Sequence, residues 1–370
     1  MTIPRSEHVG SLLRPPELLA ARERHDRGEI DDDELRAAED AAVDEVLRRQ
    51  EETGIDVVTD GEQRRLSFQS QMVEAVDGFG EWDLDAFLWG DWKSDAVGDL
   101  ALEQPPLAVR SRLERRRFLS AHELAYALPR TDRTLKVTLP SPGLFSQFWD
   151  EERSAGAYAS LDEFLWDVAR ILREEVGELV RLGATYVQLD APHYPLLLDE
   201  RWRDFYEARG SVDTWLELDN HVLAAAPAGV TTGFHLCRGN QGSRWLVAGS
   251  YDALAGRIFP RIGADRLLLE YDDERSGGFE PLREVPAGKV VVLGLVTTKT
   301  ARRETVDELA RRINEASAFV PLERLALSPQ CGFGTSVVGN ALSRDDQWGK
   351  LETIADTAAA VWGEPHGGRD

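Results

Sequence analysis

The run GVTTGFHLC sets His235 and Cys237 one residue apart, and the only other cysteine, Cys331, closes a second run, RLALSPQC. Side chains two apart on a strand point the same way, so His235 and Cys237 can grip one ion together. A third run, DRLLLE, ends on Glu270. Two thiolates, an imidazole and a carboxylate are a tetrahedral donor set suited to zinc, a borderline-soft ion that accepts sulfur, nitrogen and oxygen. A lone His-x-Cys pair is weak; the assignment rests on the coincidence that both cysteines and a carboxylate end strand-like runs. The expected ligands are therefore His235, Cys237, Glu270 and Cys331. The oxygen donor is the weakest of the four, so a substrate sulfur can take its place, and a zinc-bound thiol is a thiolate at neutral pH. Such a set suits alkylation of a thiol.

The ends of other runs form a polar socket. Gly10 and Ser11 follow EHV and offer backbone and hydroxyl donors to a carboxylate, while Glu62 and Asp190 end the runs IDVVTDGE and ATYVQLD. Inward-facing acids would hold an ammonium group, which suits an amino-acid thiol. Asp60 reads equally well as a turn acid. His193 is a candidate proton donor, against a hydrogen-bonded loop role, and Lys299 a candidate to balance substrate or leaving-group charge, against a surface salt bridge. Arg238 reads as support for the metal ligands or as an anion contact.

These residues need a scaffold that gathers strand ends on one rim. Eight β-rich runs recur along the chain: EHVGSLLRP, IDVVTDGE, TLKVTLPSP, ATYVQLDAP, GVTTGFHLC, DRLLLEYDD, KVVVLGLVTTK and RLALSPQCGFG. Stretches of helical periodicity separate most of them, and Ser160 with Glu163 predicts a capping box at the start of one. The alternation predicts an α/β fold, a TIM (β/α)8 barrel, which carries its reactive groups at the C-terminal strand ends. Residues 1–370 are expected to form one catalytic barrel, interrupted between strands two and three by an insertion at about 66–130. Insertions there often cover the active site, but Phe68, Phe79, Trp82, Phe87, Trp89 and Trp92 read first as a satellite core. Trp348 reads as helix packing, and the closing GEPHGGRD as a frayed tail.

A formal net charge of -23 argues against nucleic acid or anionic membrane as a partner and for a small molecule. Two cysteines are too few for a disulfide scaffold. The start MTIPRSEHVG lacks a secretory pattern, and no run is apolar for long enough to span a bilayer, so a cytoplasmic protein is expected.

The stretches HVGSL, VTDGEQRR, QLDAP, HLCRGN, LLEYDD, LGLVTTKT and LSPQCGFG, in this order, resemble the cobalamin-independent methionine synthase family, especially its short, single-barrel members. The resemblance covers nearly all the chain except parts of the insertion. It implies a zinc enzyme that transfers a methyl group to homocysteine sulfur. It also implies His235, Cys237, Glu270 and Cys331 as zinc ligands, Val9, Gly10 and Ser11 as the stretch that binds the amino-acid end of homocysteine, Glu62 as its acidic partner, and Asp190 as the carboxylate on the ammonium. There are departures. The second, N-terminal barrel of long members, which helps to bind polyglutamylated folate, has no counterpart in the sequence. Leu196 stands where they have a folate-binding glutamate, and Thr297, Thr298 and Lys299 where they have a histidine proton donor. A donor other than methyltetrahydrofolate is therefore expected, a methylated corrinoid protein or a simpler methyl compound. The short members also look similar to epoxyalkane:coenzyme M transferases, whose sulfonate substrate would call for arginines rather than acids. A non-catalytic, zinc-stabilised binding protein is the third reading, disfavoured because a chain of this size needs no metal staple.

Overall fold

Seven of the eight runs, rich in valine and leucine, become strands in the computed structural model, which describes residues 3–363. They are β1 (Val57–Val58), β2 (Thr134–Pro140), β3 (Tyr186–Asp190), β4 (Thr231–Leu236), β5 (Arg266–Glu270), β6 (Val290–Val296) and β7 (Leu325–Pro329). All pair in parallel, in chain order, as one seven-stranded curled sheet.

The first expected run departs from the eight-stranded prediction. It makes only an isolated parallel bridge, Ser6 to Leu327. Around that bridge Glu7 N donates to Leu327 O, Leu327 N to Arg5 O, and Asp56 N and Val57 N to Ser6 O, so the segment touches both outer strands. Its ladder is short for local reasons. Pro4 has no N–H to donate, and the chain bends at Gly10.

Helices follow most strands, among them Leu161–Arg181, Val212–Leu223, Asp252–Ile258, Val306–Ala316 and Arg344–Trp362. Ser160 caps the first of these, its hydroxyl accepting from Glu163 N, but the Glu163 carboxylate reaches Ala159 N instead of closing the reciprocal box. The full box occurs at Thr305 and Glu308. Trp348 is buried as helix packing. Between β5 and β6 only two short 3-10 turns stand where a helix would be expected. The stretch from Glu364 onward lies outside the described residues.

At the N-terminal end of the strands the interior is ionic. Glu7 accepts from Lys136 Nζ at 2.8 Å and Tyr186 Oη at 3.0 Å, and pairs with Arg266 at 2.7 Å, all of them buried. Burial alone would raise the Glu7 pKa, but the two cations outweigh it and hold the carboxyl at about 2. Residues 66–130, between β1 and β2, fold into three short α-helices, a 3-10 turn at Leu128–Arg130 and two small antiparallel ribbons, Val76–Asp77 with Glu114–Arg115 and Gly90–Trp92 with Leu100–Leu102.

Candidate metal centre and substrate cavity

Strand register assembles the reactive rim. Asp190 and His235, the end of β3 and the penultimate residue of β4, are direct partners. Leu236 pairs with Leu269, which brings the next residues, Cys237 and Glu270, alongside one another. Cys331 follows β7 by two residues and reaches the same rim. The donor atoms of His235, Cys237 and Cys331, all buried, lie within 4.8 Å of one another.

His235 is oriented as a ligand would be. Its Nδ1 faces the Leu268 carbonyl at 3.2 Å, which can only accept, so Nδ1 carries the proton and Nε2 is left with a free lone pair. That Nε2 is buried without a hydrogen-bond partner. Burial favours the neutral ring, yet Cys237, Asp190 and Glu270 together raise its pKa. The Cys237 thiol is held well below its ordinary range by a hydrogen bond from Cys331 and, against burial, by His235. Cys331 is pushed up in turn by Cys237 and by burial. An unpartnered imidazole nitrogen beside two thiols that compete for one proton fits zinc, which takes neutral histidine and thiolate together.

Glu270 stands beside this trio but is otherwise engaged. Its Oε2 accepts from Arg238 N at 2.7 Å and its Oε1 from Lys299 Nζ at 3.1 Å. Burial raises its pKa, helped by Asp272 and Cys237 and opposed by Lys299 and Arg238. Lys299 also pairs with Asp272 at 3.3 Å and is buried, so it is an internal ion pair rather than the surface one weighed from sequence. Arg238 serves the centre from behind: its guanidinium donates to the Gly249 and Glu270 carbonyls and lies over the Tyr251 ring.

The socket residues line the same cavity as the metal trio. Val9, Ser11, Glu62 and Asp190 share its wall with His235, Cys237 and Cys331, around a volume of about 110 Å3. Gly10 lies just behind: a Cβ there would sit 2.5 Å from Glu62 Oε1 and 2.8 Å from Thr138 Cγ2, so only glycine lets Glu62 approach. Glu62 has φ of 54°, a left-handed conformation costing about 1–2 kcal/mol for a non-glycine residue. Its Oε1 accepts from Thr138 Oγ1 at 2.8 Å, and its buried Oε2 has no partner. Asp190 accepts from Gln188 Nε2 at 2.7 Å, and burial pushes its pKa up to about 7 despite His235. Asp60 is a turn acid, accepting from Glu62 N at 2.9 Å.

His193 is set behind the cavity wall. Its ring packs edge-on to Trp215 at 4.8 Å, neither nitrogen has a partner, and burial lowers its pKa to about 3. Neither His193 nor Lys299 lines the cavity. The inserted segment does: Phe68, Phe87, Leu88, Trp89 and Trp92 line it as a roof, while Phe79 packs behind them with Phe145, Phe148 and Phe164, Phe148 in turn meeting Phe87. The expectation that these aromatics pack among themselves thus holds for Phe79 and Trp82, which do not line the cavity, and gives way for Phe68, Phe87, Trp89 and Trp92. Sequence reading missed Thr138 and Gln188, which hold the two acids, although each lies on a strand that ends at the rim and Gln188 sits two residues before Asp190 on its face. It also missed Asn240, whose Nδ2 ties Thr298 Oγ1 to Gly332 O, both at 2.8 Å, while its Oδ1 stays unpartnered.

Residues 5–344 match the model of the cobalamin-independent synthase catalytic domain. An uncharacterized Bacillus subtilis (strain 168) protein, YxjH, is 35% identical over 365 residues, 97% of this chain and 94% of its own length. A methionine synthase from Pyrococcus abyssi is 26% identical over 329 residues, 88% of this chain and 84% of its own. A solved structure from Listeria monocytogenes, provisionally assigned as a vitamin-B12-independent methionine synthase, superposes with a TM-score of 0.74 at 27% identity, covering 98% of this chain and 100% of that one. Among the described residues no helix is long and apolar enough to cross a membrane.

Proposed function

The chain belongs to the cobalamin-independent synthase catalytic-domain family, and from that premise we propose that it is a zinc-dependent methyltransferase that methylates the sulfur of homocysteine to give methionine. The observation that carries the reading is the sharing of one cavity by a His235–Cys237–Cys331 donor set and two buried carboxylates, Glu62 and Asp190. His235, Cys237 and Cys331 would hold the zinc, with Glu270 as the oxygen donor, weakened by its bonds to Lys299 and Arg238 and so the most readily exchanged for a substrate sulfur. Bound zinc supplies Lewis acidity that keeps a thiol ionised at neutral pH.

The protein's own groups do the rest. Asp190 accepts the substrate ammonium, and Gln188 fixes its Oδ1 for that task. Glu62 Oε2, buried and unpartnered, offers a second acceptor. Ser11 and the backbone beside it receive the substrate carboxylate. The roof residues Phe87, Trp89 and Trp92 exclude water, so that charge interactions on the floor act in a low dielectric. Two acids in the wall disfavour a sulfonate thiol such as coenzyme M.

The test is calorimetry of the zinc-loaded protein with homocysteine and with 4-mercaptobutanoate, which lacks the ammonium, in two buffers of different ionisation enthalpy. The expected result is proton release with both thiols and tighter binding of homocysteine, an advantage that Asp190→Asn abolishes. Equal loss of both thiols in Asp190→Asn, or preference for coenzyme M, refutes the assignment.

A further inference from the structure

The aromatic part of the cavity lining differs in chemistry from the metal ligands and acids that share it. Its walls are Phe68, Phe87, Trp89, Trp92, Trp202 and Tyr206. The indole N–H groups of Trp89 and Trp92 are taken up by Gln147 Oε1 at 2.9 Å and Leu88 O at 2.8 Å, so these two rings offer a ligand their π systems. Trp89 and Trp202 lie 5.4 Å apart at 55°, two sides of a corner. Among the described residues no lysine or arginine lines the cavity, whereas Asp190 does, and so does Glu62, which Arg65 approaches from behind at 3.7 Å. Away from the metal ligands an anionic ligand would find no cationic side chain on the cavity wall, whereas a cation would find π faces and carboxylates.

The aromatic side of the cavity also carries no strong acid among the described residues. Among the described residues, His193 and Lys299 stand outside the cavity wall, the hydroxyls of Ser67, Thr335, Ser336 and Tyr206 that line it are weak acids, and Asp190 is taken up by the substrate ammonium. A methyl donor whose leaving group must be protonated is poorly served by such a wall. A donor that departs as a neutral molecule needs nothing from it.

We propose, on the reading that a thiol is methylated at the floor, that the roof seats a cationic methyl donor, a small methyl onium of the sulfonium or quaternary ammonium class. In the transfer a lone pair of the thiolate sulfur forms the new S–CH3 bond. The bond from the methyl carbon to the onium sulfur or nitrogen breaks, and its electron pair stays on that atom, which leaves as a neutral thioether or amine. Thiolate and onium charges cancel, and no proton is consumed.

The first arm of the test compares choline with its neutral isostere 3,3-dimethylbutan-1-ol by calorimetry on the zinc-loaded protein. Two aromatic contacts predict a preference for the cation of roughly tenfold or more. Phe87→Leu and Trp89→Leu, at positions only partly buried, should each reduce choline affinity severalfold and leave the neutral isostere nearly unchanged. If neither variant folds, the ratio in the unaltered protein still decides. The second arm follows labelled methyl from trimethylsulfonium, tetramethylammonium and 5-methyltetrahydrofolate into homocysteine. Transfer from either onium ion supports the assignment and tells sulfonium from ammonium; transfer from the folate alone overturns it. Homocysteine binding with proton release but no preference for choline overturns the onium seat and leaves the thiol reading intact. Choline preference without homocysteine binding removes the thiol reading, and the donor role with it.

Discussion

Replacing Gly10 by alanine should damage the substrate socket while sparing the metal. The new Cβ would lie 2.5 Å from Glu62 Oε1 and 2.8 Å from Thr138 Cγ2, where ordinary contact begins near 3.4 Å, so the carboxylate must retreat by about 0.9 Å. It has little room: Glu62 is 2% exposed, its backbone is locked at φ of 54°, and the same oxygen holds the Thr138 hydroxyl. Overpacking of this kind costs about 1–3 kcal/mol of stability. A displacement near 1 Å in a positioning group costs about 100-fold in turnover. The assays are a thermal melt, zinc content and homocysteine titration by calorimetry. The expected result is a lower Tm, unchanged zinc and homocysteine affinity reduced at least tenfold, about 1.4 kcal/mol. Adding Glu62→Ala should recover part of the lost stability without recovering affinity, because it removes the shorter of the two clashes together with the acceptor, leaving only that with Thr138 Cγ2. Wild-type affinity and Tm in Gly10→Ala would refute the claim that glycine is there to admit Glu62.

Other outcomes follow from the buried charges. Glu7→Gln strands Lys136 and Arg266 and should cost about 3–5 kcal/mol at neutral pH. Because the Glu7 pKa falls to about 2 on folding, its contribution is complete above its unfolded value near 4.5 and fades as pH drops toward 2; melts of variant and parent should therefore converge in acid. Asp219 behaves oppositely. Hydrogen-bonded to Ser141 Oγ and Tyr194 Oη, both at 2.6 Å, it is raised by burial to about 7, so its cost is absent below about pH 4, grows as pH rises, and is full above 7. Asp219→Asn should flatten that decline and stabilise the protein at pH 8 by up to about 4 kcal/mol; a pH–Tm profile parallel to the parent's would contradict it.

The reactive rim was legible in the sequence because strands are short, alternate strictly and end in turns, so the last residues of each run declare themselves. His235, Cys237, Cys331, Glu62 and Asp190 were found in this way and line one cavity. Run endings do not reveal partners. Lys299 beside Glu270 depends on the spacing of two strands across the sheet, and a lysine at a strand end looks the same whether it meets solvent or a carboxylate. His193 lies three residues from Asp190, yet a short helix, His193–Leu196, turns it into an aromatic cluster; only the packing of Trp215 shows this. EHVGSLLRP carries the residues of an eighth strand, but Pro4 just before it and the bend at Gly10 within it limit the hydrogen bonds that it can make. The roof was the least readable part, since Phe68, Phe87, Trp89 and Trp92 come from irregular chain whose course no periodicity specifies.

The central claim is that His235, Cys237 and Cys331 hold zinc in a place that a substrate sulfur can reach. Zinc K-edge absorption spectra of the loaded protein, before and after homocysteine, test it most directly. The account predicts a shell of two sulfurs with nitrogen and oxygen, gaining a third sulfur at the expense of the oxygen when homocysteine is added. A shell without sulfur, or one that homocysteine leaves unchanged, would contradict it.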